Sequence, residues 1–181
     1  MTLAELQQQL EARAKLLNDA GLKERLAIVA SNEVSASVKR RVFRDGIAQD
    51  GSQIGSYSTT PARFSISTPG LPKLSPKSKP PSTRAKKTYY SESGYKGFRN
   101  AVGRQNQKVD LNLSGATFQG VGTGVAPSGV PAFGIRTKEA LQRIEGNEER
   151  FNCITITPNE LERKAGIEAA LRELKFILNI D

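Results

Sequence analysis

Leu3, Leu6, Leu10 and Leu17 recur at spacings that place them on one stripe of a helix, with polar residues and alanines between. The pattern predicts a first helix from about Thr2 to Asn18. Thr2 has N-cap chemistry, Glu5 stands at the capping-box spacing, and Gly21 marks the stop. Leu26, Val29, Val34, Val38 and Val42 predict a second helix over residues 23–44. Lys39, Arg40 and Arg41 lie in its last turns, where cations oppose the negative dipole end, and Gly46 terminates it. The glycines and aspartates between Asp45 and Gly51, leading into Ile54-Gly55-Ser56-Tyr57-Ser58, predict an ordered loop.

Further along, Tyr95, Phe98 and Val102 predict a short helix over 93–102, broken by Gly103. Val109 to Leu113 alternates. The β-type residues of Thr117 to Val125 and of Ala132 to Ile135, around a Pro/Gly turn at Ala126 to Pro131, predict a hairpin. A helix opening at Thr137 or just before it carries Leu141 and Ile144 and is expected to end near Gly146. Phe151 to Thr157 alternates like a strand, with Ile154 and Ile156 on one face in the core. Thr157-Pro158-Asn159-Glu160 reads as a helix start with a Thr cap and Pro at the first position. The final helix carries Leu161, Ala165, Glu168, Leu171, Leu174 and Leu178. These elements give an α+β class: N-terminal helices, a small antiparallel sheet with the C-terminal helix packed on it, and a long basic loop. With 181 residues and no visible repeat, the expectation is a single domain over 1–181.

Composition narrows the chemistry. Hydrophobic residues are 37% and aromatics 6%, with no Trp, so the core rests on aliphatic residues and a few Phe and is expected to be thin. There is no His, and the single cysteine, Cys153, sits in the apolar alternating run, where a thiol acts as a small hydrophobe. Without His the commonest general acid/base and metal ligand is missing, and one Cys builds neither a zinc site nor an internal disulfide. The expectations are no enzyme activity, no cofactor, no metal, and a chain suited to a reducing cytoplasm. No stretch reaches the ~18 apolar residues of a membrane span, and the first ten residues lack the apolar core of an export signal, so neither a membrane partner nor export is expected.

The net charge of +9 is unevenly placed. Residues 1–68 carry +2, residues 69–108 carry +9 and residues 109–181 carry −2. The basic segment opens with a Pro/Lys/Ser-rich run, Pro69 to Pro81, which cannot continue a helix or donate to a ladder at its prolines and repels itself through its lysines. It is expected to be an extended arm over 69–92, ordering only against a partner. Three readings stay open: a solvated loop, contact with a neighbouring subunit, or contact with a DNA backbone through Lys73, Lys77, Lys79, Arg84, Lys86 and Lys87. Tyr89, Tyr90, Tyr95 and Phe98 interleave with Lys86, Lys87, Lys96 and Arg99, the mixture used by single-strand binders. The same mixture also serves protein interfaces and short helices facing a core.

Two other clusters carry less. Gly120-Val121-Gly122-Thr123-Gly124 lacks a Gly-Lys-Ser/Thr ending and an immediately following helix, so a glycine-rich hairpin is the better reading than a phosphate loop. Glu145, Glu148 and Glu149 read as a solvated helix end.

Three blocks in this order resemble the bacteriophage tail-completion and virion-morphogenesis proteins, a family of small neck components. They are Arg41-Val42-Phe43 with Gly46, Asp50-Gly51 and Ile54 to Ser58; Gly94-Tyr95 through Gly103-Arg104-Gln105 and Val109 to Gly115; and Phe133-Gly134-Ile135 with Asn147 to Phe151 and Ile154 to Glu162. Tyr57, Gly103, Leu111, Leu113, Phe151, Ile154 and Ile156 are the motif or core positions within them. The insertion at 69–88 departs from a compact version of the pattern. The resemblance implies a homo-oligomeric ring, commonly a hexamer, between a portal-side connector and the tail. Such a ring completes or terminates the tail, joins it to the head and surrounds the channel through which genome DNA passes. The location it implies is the virion, after assembly in the host cytoplasm. The alternative is a basic nucleic-acid-binding accessory protein of the phage.

Overall fold

The computed structural model describes residues 3–65, 88–111 and 115–179. Most of the basic arm, with Lys73, Lys77, Lys79, Arg84, Lys86 and Lys87, lies outside the described residues, as do Leu113 and the Thr2 cap. The class is α+β, as expected: helices and two small antiparallel two-stranded sheets.

The chain divides into two compact units. The first combines residues 1–38, 121–136 and 158–181. It holds α1 (Leu3–Asn18), α2 (Ala20–Lys39), whose last residue belongs to the other unit, a hairpin, and the C-terminal helix. The break between α1 and α2 falls at Asp19, not Gly21. The Asp19 carboxylate accepts the Leu22 N–H at 2.8 Å, capping α2 at the N3 position, and Gly21 sits inside the helix. The hairpin pairs β-strands Val121–Val125 and Pro131–Ile135 in the register Val121 to Ile135. It is tied to α2 by Ser31 Oγ donating to the Pro131 carbonyl at 3.3 Å and Thr123 Oγ1 donating to Asn32 Oδ1 at 2.8 Å. Residues 117–119, expected as the start of the first strand, instead belong to a single helical turn, Ala116–Gln119.

The C-terminal helix runs Glu160–Leu178 and is capped by Asn159 rather than Thr157. Asn159 and Glu162 exchange reciprocal side-chain-to-backbone bonds at 2.9 Å. This helix meets α2 at Gly166, where a Cβ would fall 2.7 Å from Val34 Cγ2 and 3.0 Å from the Ala30 carbonyl. An Arg25–Glu173 ion pair at 2.5 Å joins the same two helices further along.

The second unit comprises residues 39–120 and 137–157. The α2 backbone passes into a π-helical turn, Arg40–Asp45, closed by Gly46 at φ +68°. A Cβ at Gly46 would lie 2.6 Å from the Val109 carbonyl, so both conformation and space require glycine there. Arg41, expected in the last turns of the second helix against its negative dipole end, is buried, with Nη1 and Nη2 donating at 3.1 Å to the Ile47 and Thr157 carbonyls. A second sheet pairs Ala62–Ser65 with Thr88–Ser91. The helix Gly94–Ala101 packs on it through Phe98, whose ring stacks on Phe64 at 4.7 Å and meets Tyr89 at 6.0 Å. Numbered in chain order, the strands are β1 (Ala62–Ser65), β2 (Thr88–Ser91), β3 (Val121–Val125) and β4 (Pro131–Ile135). The remaining helices are α3 (Gly94–Ala101), α4 (Ala116–Gln119), α5 (Lys138–Phe151) and α6 (Glu160–Leu178).

The expected strand over Phe151–Thr157 does not form. Helix α5, capped by Thr137, continues through Gly146 to Phe151, and Asn152 at φ +49° closes it. The reason is Glu148, expected to be solvated. Its carboxylate accepts the N–H groups of Thr155 and Ile156 and the Thr155 hydroxyl, bending the chain back onto the helix and using donors a ladder would need. Ile156 is buried, but Ile154 is 53% exposed and is not a core residue.

Candidate functional site

The second motif block folds into one buried polar network. Asp110 closes an ion pair with Arg99, whose Nη2 lies 2.9 and 3.0 Å from the two carboxylate oxygens, and both side chains are buried. Tyr57, from the loop before β1, donates its hydroxyl to Asp110 Oδ1 at 2.8 Å and accepts the Asp110 N–H at 3.0 Å. Arg99 Nε donates to the Gln105 carbonyl at 2.7 Å, and its guanidinium lies 4.5 Å from the Tyr57 ring centroid. Gln105 in turn accepts the Gln107 and Lys108 N–H groups and donates to the Lys108 carbonyl, shaping the turn that delivers Asp110. Gly103 supplies a positive-φ residue where α3 ends. A buried charge pair persists only when its remaining donors and acceptors are satisfied, and this one is held from three directions.

Leu111 follows in the left-handed region at φ +50°, an uncommon conformation for a leucine. It is tolerated because the preceding residue is pinned through both its N–H and its carboxylate. Glycine is also required at Gly94, φ +60°, where a Cβ would run into the backbone of Ser58, Thr59 and Thr60. That contact brings the residues just after Tyr57 against the start of α3.

Beside the network opens a cavity of about 310 Å³. Tyr57, Leu111 and Phe151, three residues singled out from the sequence, line it together with Tyr95 and Arg99. Its other wall is helix α5, through Arg143, Asn147 and Arg150. Asn147 and Arg150 fall in the third motif block, with no role assigned to them there, and Arg143 lies outside every block. Their spacing of four and three residues, which places them on one helix flank, was the available signal. Tyr89 and Tyr90 are half-buried in β2. Tyr89 faces Phe98 and Tyr90 lies 5.7 Å from the Arg63 guanidinium, so neither stands out as a free stacking surface.

Burial pushes the Tyr57 phenol far above its ordinary range, and the Tyr95 phenol upward as well. A tyrosine that holds its proton more tightly folded than unfolded stabilises the fold fully below the unfolded value of about 10, and that contribution is lost as pH rises above it. Unfolding free energy measured by urea titration is therefore expected to fall between pH 9.5 and about 11 more steeply in the wild type than in Tyr57→Phe. Equal slopes would contradict this placement of Tyr57. The Cys153 thiol is also raised, chiefly by burial and then by Glu148 and Asp50, away from the thiolate form that a nucleophile or metal ligand uses.

Among the described residues, no cluster of three or more His, Cys, Asp or Glu side chains is placed to hold a metal ion, and no helix is long and apolar enough to cross a membrane. A scan against protein-family models, a search of curated proteins and a search of solved structures each found no match to this chain.

Proposed function

We propose that this chain is a non-enzymatic structural subunit of a bacteriophage neck, one copy in a ring that completes the tail and joins it to the head. The observation that carries the assembly part of this reading is helix α6. It buries its small-residue face, Gly166 and Ala169, and leaves Ile167 and Leu171 outward at 61% and 52% exposure, with Leu174 and Leu178 half-buried along the same stripe. Leu161 and Phe176 on the same helix are exposed at 76% and 78%. Helix α1 adds to this, since every one of its described side chains is exposed, Leu10 and Leu17 of its leucine stripe included. A sixteen-residue helix with this little of its own packing is marginal in water, and apolar stripes left open at this scale mark surfaces that meet protein.

The phage part rests on the motif blocks. Tyr57, Gly94, Arg99, Gln105 and Asp110, scattered over the first two blocks, act as one lock, which is what a structural family signature would encode. The test is a phage carrying a deletion of this reading frame. Accumulation of filled heads and separate tails, cured by supplying the chain in trans, is expected; intact infectious particles lacking the chain would refute the reading.

A further inference from the structure

Helix α5 carries opposite charges on two flanks. Arg143, Asn147 and Arg150 line the cavity beside the Tyr57–Asp110 network, and among the described residues no carboxylate pairs with either arginine. Arg150 instead lies 5.4 Å from the centroid of the Phe151 ring. Glu145 and Glu149, both exposed, sit one turn apart roughly 150° around the same helix, given about 3.6 residues per turn. Arg99, the third cation at the cavity, is already neutralised by Asp110, so the two α5 guanidiniums supply its unspent positive charge.

We propose that the cavity receives the acidic flank of α5 from a second copy of this chain, Glu145 and Glu149 docking onto Arg143 and Arg150. The inference rests on the assembly reading above and names the contact that would propagate it. Two different patches of one chain that complement each other make a head-to-tail interface, and such an interface closes into a ring when its rotation closes. A bare phosphate would use only the guanidinium rim. A glutamate fits better, because its methylene stem can lie on Leu111 and Phe151 while the carboxylate takes paired N–H donors from arginine. Asn147, between the two arginines, has its amide committed to the Arg143 carbonyl at 2.6 Å and leaves its side-chain oxygen as the acceptor there.

The test is sedimentation velocity on the full chain with two double variants. Arg143→Glu with Arg150→Glu, and Glu145→Arg with Glu149→Arg, are each expected to weaken self-association on the order of 100-fold. Mixed in equal amounts they should recover it, because every junction in the mixed ring again pairs opposite charges. Recovery also shows that both variants are folded. The milder Arg143→Gln with Arg150→Gln, which leaves no reversed charge, is expected to weaken association about tenfold. Unchanged assembly of all three variants would overturn the inference while leaving the neck reading in place. A wild type that never self-associates would remove both. Loss of duplex DNA binding in Arg143→Glu with Arg150→Glu, at unchanged assembly, would assign the cavity to phosphate and overturn the carboxylate.

Discussion

Asp110→Ala is expected to destabilise the unit containing residues 39–120 and 137–157 by about 3–5 kcal/mol, the cost typical of stranding one member of a buried ion pair. The magnitude follows from what is left behind. Arg99 is 1% exposed, so its guanidinium cannot turn to water, and the neighbours left to it, the Gln105 carbonyl, the Tyr57 ring and the Tyr95 phenol, carry no full negative charge. Tyr57 loses the acceptor of its hydroxyl, and Leu111 loses the anchored neighbour that holds it at positive φ. With total stabilities of roughly 5–15 kcal/mol, such a loss removes a large share of the whole. Arg99→Met combined with Asp110→Leu should be far less damaging than the two single costs combined, because removing both charges strands neither. Urea denaturation, with hydrogen exchange read over 94–110, measures this. A single-variant effect under about 0.5 kcal/mol would mean that the network is incidental.

The second large effect concerns assembly. Ile167→Glu together with Leu171→Glu is expected to abolish self-association while leaving the monomer folded, since both side chains are exposed and neither belongs to the Gly166 crossing with α2. Core leucine substitutions usually unfold a protein, and these should not. The contrast between intact helical content and lost association is the signature of an interface residue. Gly166→Leu is the opposite control. It drives a side chain into Val34 and the Ala30 carbonyl, so it should damage the fold itself. If the double glutamate variant instead melted like Gly166→Leu, the stripe would be core and the assembly surface would lie elsewhere.

The regular elements were largely legible because their signals are local. The hairpin of β3 and β4 was visible in valines and isoleucine flanking a Pro/Gly turn, and the stop of the second helix at Gly46 followed from one glycine. Boundaries slipped where two residues offered the same chemistry. Asn159 outcompeted Thr157 as the cap of α6 because Glu162 stands three residues after Asn159 and completes the box. The strand expected over 151–157 failed for a non-local reason, since alternation cannot reveal that Glu148 will take the N–H groups of Thr155 and Ile156.

The polar lock was invisible for the same cause. Tyr57 and Asp110 lie 53 positions apart, and nothing in either neighbourhood states the pairing. The motif blocks contain these positions, but only the fold shows what joins them. The apolar positions of helix α6 are plain in the sequence, yet which face points inward depends on glycine and alanine permitting close approach to α2. Leucine content alone suggests the other face.

Native mass spectrometry of the purified full chain over a micromolar concentration series tests the assembly claim most directly. A discrete oligomer of ring size that is lost in Ile167→Glu with Leu171→Glu is the expected result. A monomer at every concentration, alone and with phage tail extract, would contradict it.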